Sequence, residues 1–252
     1  KNIELVLPGD TFKKIIYSFD AGEIQVEKKE KGVLLKSKQS KAKIPAQSAE
    51  EYPDFPEIDG QQFSIPAEFL LKIKELVSFA ASTDQSRPVL TAVHFKFSPN
   101  GLEVVGTDGF RLALLDEADL KSEKEFTLLI PGKALQQVFR ILSQVETDTV
   151  SLQVSSEMKQ VKFILDNTEV FVRLIDGDYP PYEKIIPEDF SIEVTLNGQE
   201  LEQELKRAFI LAREASNIVK LNLKDDQLII STQSPTQGEY KGVIQTNFEG
   251  SV

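Results

Sequence analysis

Leu5-Val6-Leu7-Pro8-Gly9-Asp10-Thr11-Phe12-Lys13-Lys14-Ile15-Ile16 lies on Leu128-Leu129-Ile130-Pro131-Gly132-Lys133-Ala134-Leu135-Gln136-Gln137-Val138-Phe139 at a constant offset of 123 residues. Every apolar position of the first block meets an apolar position of the second. Each copy predicts a short strand, then a Pro-Gly pair opening a helix, then apolar residues at helical spacing. Strand-like runs follow in both, Ile24 to Glu27 and Val33 to Lys36 in one, Val150 to Val154 and Val161 to Leu165 in the other. Both copies close on an acidic, aromatic and proline exit, Glu51-Tyr52-Pro53-Asp54-Phe55 answering to Asp178-Tyr179-Pro180-Pro181-Tyr182.

The stretches between these copies repeat as well. Phe63-Ser64-Ile65-Pro66 leads into a helix expected over 67–81, and Val194-Thr195-Leu196-Asn197 into one expected over 199–214. Val93, Phe95 and Phe97 then alternate as Val219, Leu221 and Leu223 do, and Leu102 and Val104 answer to Leu228 and Ile230, all at an offset of 126. The chain therefore reads as one unit of roughly sixty residues used four times, an α+β architecture of strand-helix-strand half-domains. Boundaries are expected near Asp59, Lys124 and Asp189.

Composition removes several classes of chemistry. The 252 residues contain no cysteine, which excludes disulfides, thiolate nucleophiles and the usual structural zinc sites. The one histidine, His94, falls between Val93 and Phe95 in an alternating pattern and is expected on a strand surface. Asp108, Asp176 and Asp178 each adjoin glycine, the composition of turns, and no base of suitable type accompanies any serine. No catalytic residue, metal or cofactor is expected. No apolar run approaches the ~20 residues of a membrane span. Forty acidic against 29 basic residues give a net charge of −11, which by itself disfavours DNA.

Three blocks carry more than pattern: FAASTDQSRPVLTAV at 79–93, GLEVVGTDGFRLALL at 101–115 and LIDGDYPPYEKIIP at 174–187. In order and content they resemble the signature blocks of the bacterial sliding clamp family, the beta subunit of DNA polymerase III holoenzyme. The resemblance implies the DNA-clamp fold, with antiparallel sheets outside and helices on the inner face. It implies a cytoplasmic, non-catalytic processivity factor that closes as a homodimeric ring around duplex DNA without reading its sequence. The polymerase catalytic subunit, the clamp loader and other proteins with clamp-binding motifs are the implied partners. Residues 1–58 would be the second half of clamp domain 1, 59–189 domain 2, and 190–252 the first half of domain 3. The start at Lys1 without Met and the end at Val252 then read as a fragment. An adaptor that uses clamp-like domains without encircling DNA is the alternative.

Three sets of site residues follow. The four helical segments carry +1, 0, +2 and −1 in chain order, leaving −13 on the remainder, so positive charge gathers where DNA would pass. Arg87, Lys133 and Arg140 are DNA-facing by family position; Lys13, Lys14 and Arg207 follow from charge. For a groove that receives extended peptides, the resemblance assigns Leu90, Thr107, Gly109, Arg111, Leu112, Pro180 and Ile185, an apolar lining with a few polar handles. Phe110 stands there where the family often has histidine, and Lys184 where it can have arginine. For the ring's closing interface it assigns Ala42 and Ile44 on an edge strand at 40–45, with Ile210 and Leu211 on the partner's helix. Membership of the local core is the other reading of these apolar positions.

Overall fold

The computed structural model describes residues 4–224, 226–246 and 248–250. Two compact units make up the chain, Lys1–Tyr179 and Pro180–Val252.

In the first unit, α1 (Gly9–Ser18) precedes an antiparallel meander of β1 (Gln25–Lys29), β2 (Gly32–Ser37) and β3 (Ser40–Pro45). The helical spacing of Phe12, Ile15 and Ile16 sets them against Val33, Leu35 and Ile44 of the sheet. The strand expected at Leu5–Leu7 is reduced to a single bridge, Val6 with Gln47. β4 (Gln62–Pro66), α2 (Ala67–Leu76), β5 (Ala92–Ser98), β6 (Gly101–Thr107) and β7 (Leu112–Glu117) come next. They are followed by β8 (Phe126–Pro131), α3 (Gly132–Leu142), β9 (Thr149–Val154), β10 (Gln160–Leu165) and β11 (Thr168–Arg173).

The two halves exchange their leading strands. β4 opens one half but pairs with β9, giving the sheet β11-β10-β9-β4; β8 opens the other but pairs with β5, giving β7-β6-β5-β8. One core results rather than two. It takes Phe69, Leu70 and Ile73 from α2, Leu135, Val138, Phe139 and Leu142 from α3, and inward residues of both sheets. The rings of Phe63, Phe97 and Phe126, one from each of three strands, meet with centroids 4.7–5.3 Å apart.

Proline immediately precedes three of the helices, so in α1 and α3 it stands just outside the first turn that the Pro-Gly pair was expected to open. Pro8, Pro66 and Pro131 are the last extended residues before the first turn, with φ of −62°, −57° and −54°. The expected 67–81 helix breaks at Val77, whose φ of −125° ends α2 before a short 3-10 turn at Ser78–Ala80. The Val77 carbonyl lies so close over β6 that a Cβ at Gly106 would stand 2.7 Å from its oxygen.

His94 corrects a further expectation, because it is buried and not on a surface. The face of β5 opposite Phe95 is covered by Tyr179, whose ring stacks on the imidazole at 4.7 Å and 10°. Burial pushes the Tyr179 phenol up to about 12.

The second unit holds β12 (Ile192–Val194), α4 (Gly198–Ala212), the meander β13 (Lys220–Lys224), β14 (Gln227–Ser234) and β15 (Gly238–Gln245), and β16 (Phe248–Gly250), which pairs with β12. Ala208 of α4 packs on Leu228, Ile230 and Ile244. Where the other helices have proline, α4 has Asn197, whose Oδ1 accepts from the N–H groups of Gln199 and Glu200 at 3.0 and 3.2 Å. Asn197→Ala strands both donors and is expected to destabilise this unit by about 1 kcal/mol in urea unfolding. Among the described residues no helix is long and apolar enough to cross a membrane.

Candidate functional site

A dense polar network holds the turn from β6 to β7. The Thr107 hydroxyl donates to the Arg111 carbonyl at 2.7 Å and accepts from the Gly109 N–H at 3.1 Å. Asp108 Oδ1 accepts from the Phe110 and Arg111 N–H groups at 2.9 and 3.0 Å, and its Oδ2 takes Arg111 Nε at 3.1 Å. These donors hold the Asp108 carboxyl below the usual carboxylate range, with the Arg111 N–H the largest cause. Asp108 is thus a turn-forming group. Gly109 adopts φ +92°, a conformation that favours glycine.

So stiffened, the turn presents Phe110, 95% exposed, at its tip. Arg111 reaches back over the ring of Phe79, its Cζ 5.5 Å from the centroid. Arg87 donates from Nη2 to the Asp108 carbonyl at 3.4 Å. Leu90 is buried in the 3-10 turn Pro88–Thr91 that follows Arg87, and Leu112 is half-buried at the start of β7. One local structure therefore brings together Thr107, Gly109, Phe110, Arg111 and Leu112. Asp108, Arg87 and Phe79 are its supports. Pro180, Lys184 and Ile185 belong to the second unit, in and just before a 3-10 turn at Tyr182–Ile185, with Ile185 67% exposed.

The candidate cations divide by what already holds them. Lys13 and Lys14 of α1 and Lys133 and Arg140 of α3 are exposed, and none forms an ion pair among the described residues. Arg207 differs: its guanidinium pairs with Glu204, whose other carboxylate oxygen accepts from the Tyr240 hydroxyl.

Comparison with known proteins bears on the whole chain. Residues 64–181 match the family model for the DNA polymerase III beta subunit, central domain, and residues 183–252 match that for its C-terminal domain. The chain belongs to the DNA polymerase III beta subunit family. The beta sliding clamp of Bacillus subtilis is 31% identical over 252 residues, covering 98% of this chain and 66% of that protein. The crystal structure of the Bacillus subtilis DNA polymerase sliding clamp superposes with a TM-score of 0.88 at 31% identity, over 98% of this chain and 66% of that one. That of the Streptococcus pneumoniae DNA polymerase III beta chain gives 0.86 at 29% identity, over 100% and 67%. The chain thus spans just under two thirds of the length of the curated relatives it matches.

Within this beta-subunit chain, the interface candidates need one correction. Ile44 is 1% exposed and packs with Val33 and Leu35 beneath α1, so its side chain is core and not a contact. The alternation of β3 turns Lys41 and Lys43 outward and Ile44 inward. Ala42 is half-buried against the same core. Ile210 is 67% exposed and outside the core of its unit; Leu211 is half-buried. Phe209, 52% exposed beside them, extends the same apolar run.

Proposed function

We propose that this chain is part of a sliding clamp, a non-catalytic processivity factor that encircles duplex DNA in the cytoplasm and tethers the replicative polymerase. Family membership and the cations of α1 and α3, which form no ion pair among the described residues, support this reading. A ring holds DNA topologically and needs loose phosphate contacts that allow sliding, without readout of base edges. Exposed cations that no acid holds suit that task. Lys13, Lys14, Lys133 and Arg140 are the proposed DNA-side residues, and Arg207 is set aside because Glu204 holds it. On this reading residues 1–58, 59–189 and 190–252 are successive parts of clamp domains 1, 2 and 3. The apolar positions Ile210 and Leu211, with Phe209, belong to the surface where two copies close the ring.

The observation that carries the tethering role is the β6–β7 turn, whose hydrogen bonds hold the backbone of an exposed Phe110 beside Arg111 and a half-buried Leu112. A preorganised apolar surface with a few polar handles fits an extended peptide at small ordering cost. The clamp loader and other motif-bearing proteins would use the same surface. A fluorescein-labelled peptide spanning the clamp-binding motif of a bacterial replicative polymerase should bind saturably, and its failure to bind would remove the reading.

A further inference from the structure

Arg87 touches two parts of the first unit at once. Its Nη2 donates to the Asp108 carbonyl at 3.4 Å, and a Cβ at Gly109 would stand 3.3 Å from its Nη1. It is the cation that links segment 82–88 to the peptide-side turn. The far side of that segment faces α3: Ser82, Thr83 and Gln85 line a cavity of about 400 Å3 opposite Lys133 and Gln136. Segment 82–88 therefore reaches the turn through Arg87 and, through its other residues, the first turn of the helix that carries Lys133 and Arg140.

The acids nearby have hydrogen-bond partners of their own, although the Asp84 carboxylate also feels the Arg87 charge. The Asp84 carboxylate is held by the Ser86 N–H and hydroxyl at 2.9 and 2.8 Å, and that of Asp108 by Arg111. Among the described residues the side-chain hydrogen bond of Arg87 is to one neutral carbonyl, at the long end of hydrogen-bond range. A phosphate offers a guanidinium a charged, bidentate partner, which is roughly twice as strong.

We propose that Arg87 is shared between the Asp108 carbonyl and a DNA phosphate, so that DNA engagement loosens the Thr107–Leu112 turn and weakens peptide binding. This rests on the clamp reading above. Asp108 and Arg111 still brace the turn when Arg87 leaves, so the effect is graded. Linkage requires the peptide to weaken DNA engagement by the same factor.

The test titrates the labelled motif peptide into the chain with and without a saturating 20-base-pair duplex at low salt, in wild type and Arg87→Ala. Amide exchange at Gly109, Phe110 and Arg111 is followed in parallel. Duplex should weaken the wild-type peptide complex about fivefold and speed exchange at those amides. Arg87→Ala should exchange at the faster rate without DNA and show no further response to it. An equal DNA effect in both proteins, or none in a wild type that binds both ligands, overturns the proposal and leaves the clamp reading intact. A wild type that binds neither peptide nor duplex removes both.

Discussion

Phe139→Ala is expected to destabilise the first unit by about 3–5 kcal/mol, the cost of emptying a fully buried aromatic site. Phe139 is 1% exposed and belongs to the one core that both sheets and both helices of the central region share. Because β4 and β8 are exchanged between the halves, a cavity there weakens both sheets at once. Folded domains hold only about 5–15 kcal/mol in reserve, so this loss should appear as a melting temperature lower by about 10 °C or more. The repeat supplies a control. Ile16 occupies the matching place on α1, but no residue of α1 is fully buried. Ile16→Ala should cost less than half as much, and equal costs would contradict the packing described.

Reversing Lys133 and Arg140 together, as Lys133→Glu with Arg140→Glu, should have the largest effect on DNA. Each phosphate contact contributes about 0.9 to the slope of log affinity against log salt. Loss of two should reduce that slope by about 1.8 and weaken duplex binding about tenfold at 50 mM salt. Fluorescence anisotropy of a labelled duplex across a salt series reads both quantities. Both side chains are exposed and unpaired among the described residues, so melting should hardly change. The same reversal at Arg207 should do much less, since Glu204 already occupies that guanidinium.

The repeat was legible because apolar spacing alone fixes which face of α1 and α3 is buried. The strand exchange was not, since pairing partners such as Ile65 and Val150 are far apart in sequence and no local pattern names them. Nor was the break at Val77, which comes from the close approach of β6 at Gly106, or the burial of His94, whose covering ring arrives with Tyr179. Ile44 teaches the opposite lesson. The alternation Lys41-Ala42-Lys43-Ile44 already pointed the isoleucine inward, and the family resemblance led away from it. In the candidate site, Thr107-Asp108-Gly109 announced only a turn. Its assignment to peptide binding came from resemblance, while the contact of Arg87, until then only a DNA-facing candidate, and that of Phe79 emerged when folding brought them to it.

The most direct test of a tethering surface on this chain is a titration of the labelled polymerase motif peptide against wild type and Phe110→Ala. Phe110 is 95% exposed, so its removal should leave folding unchanged. Saturable binding to wild type, weakened about fivefold or more in the variant, is the expected result for an aromatic contact residue. Absence of saturable binding, or equal affinity in the two proteins, would contradict the account.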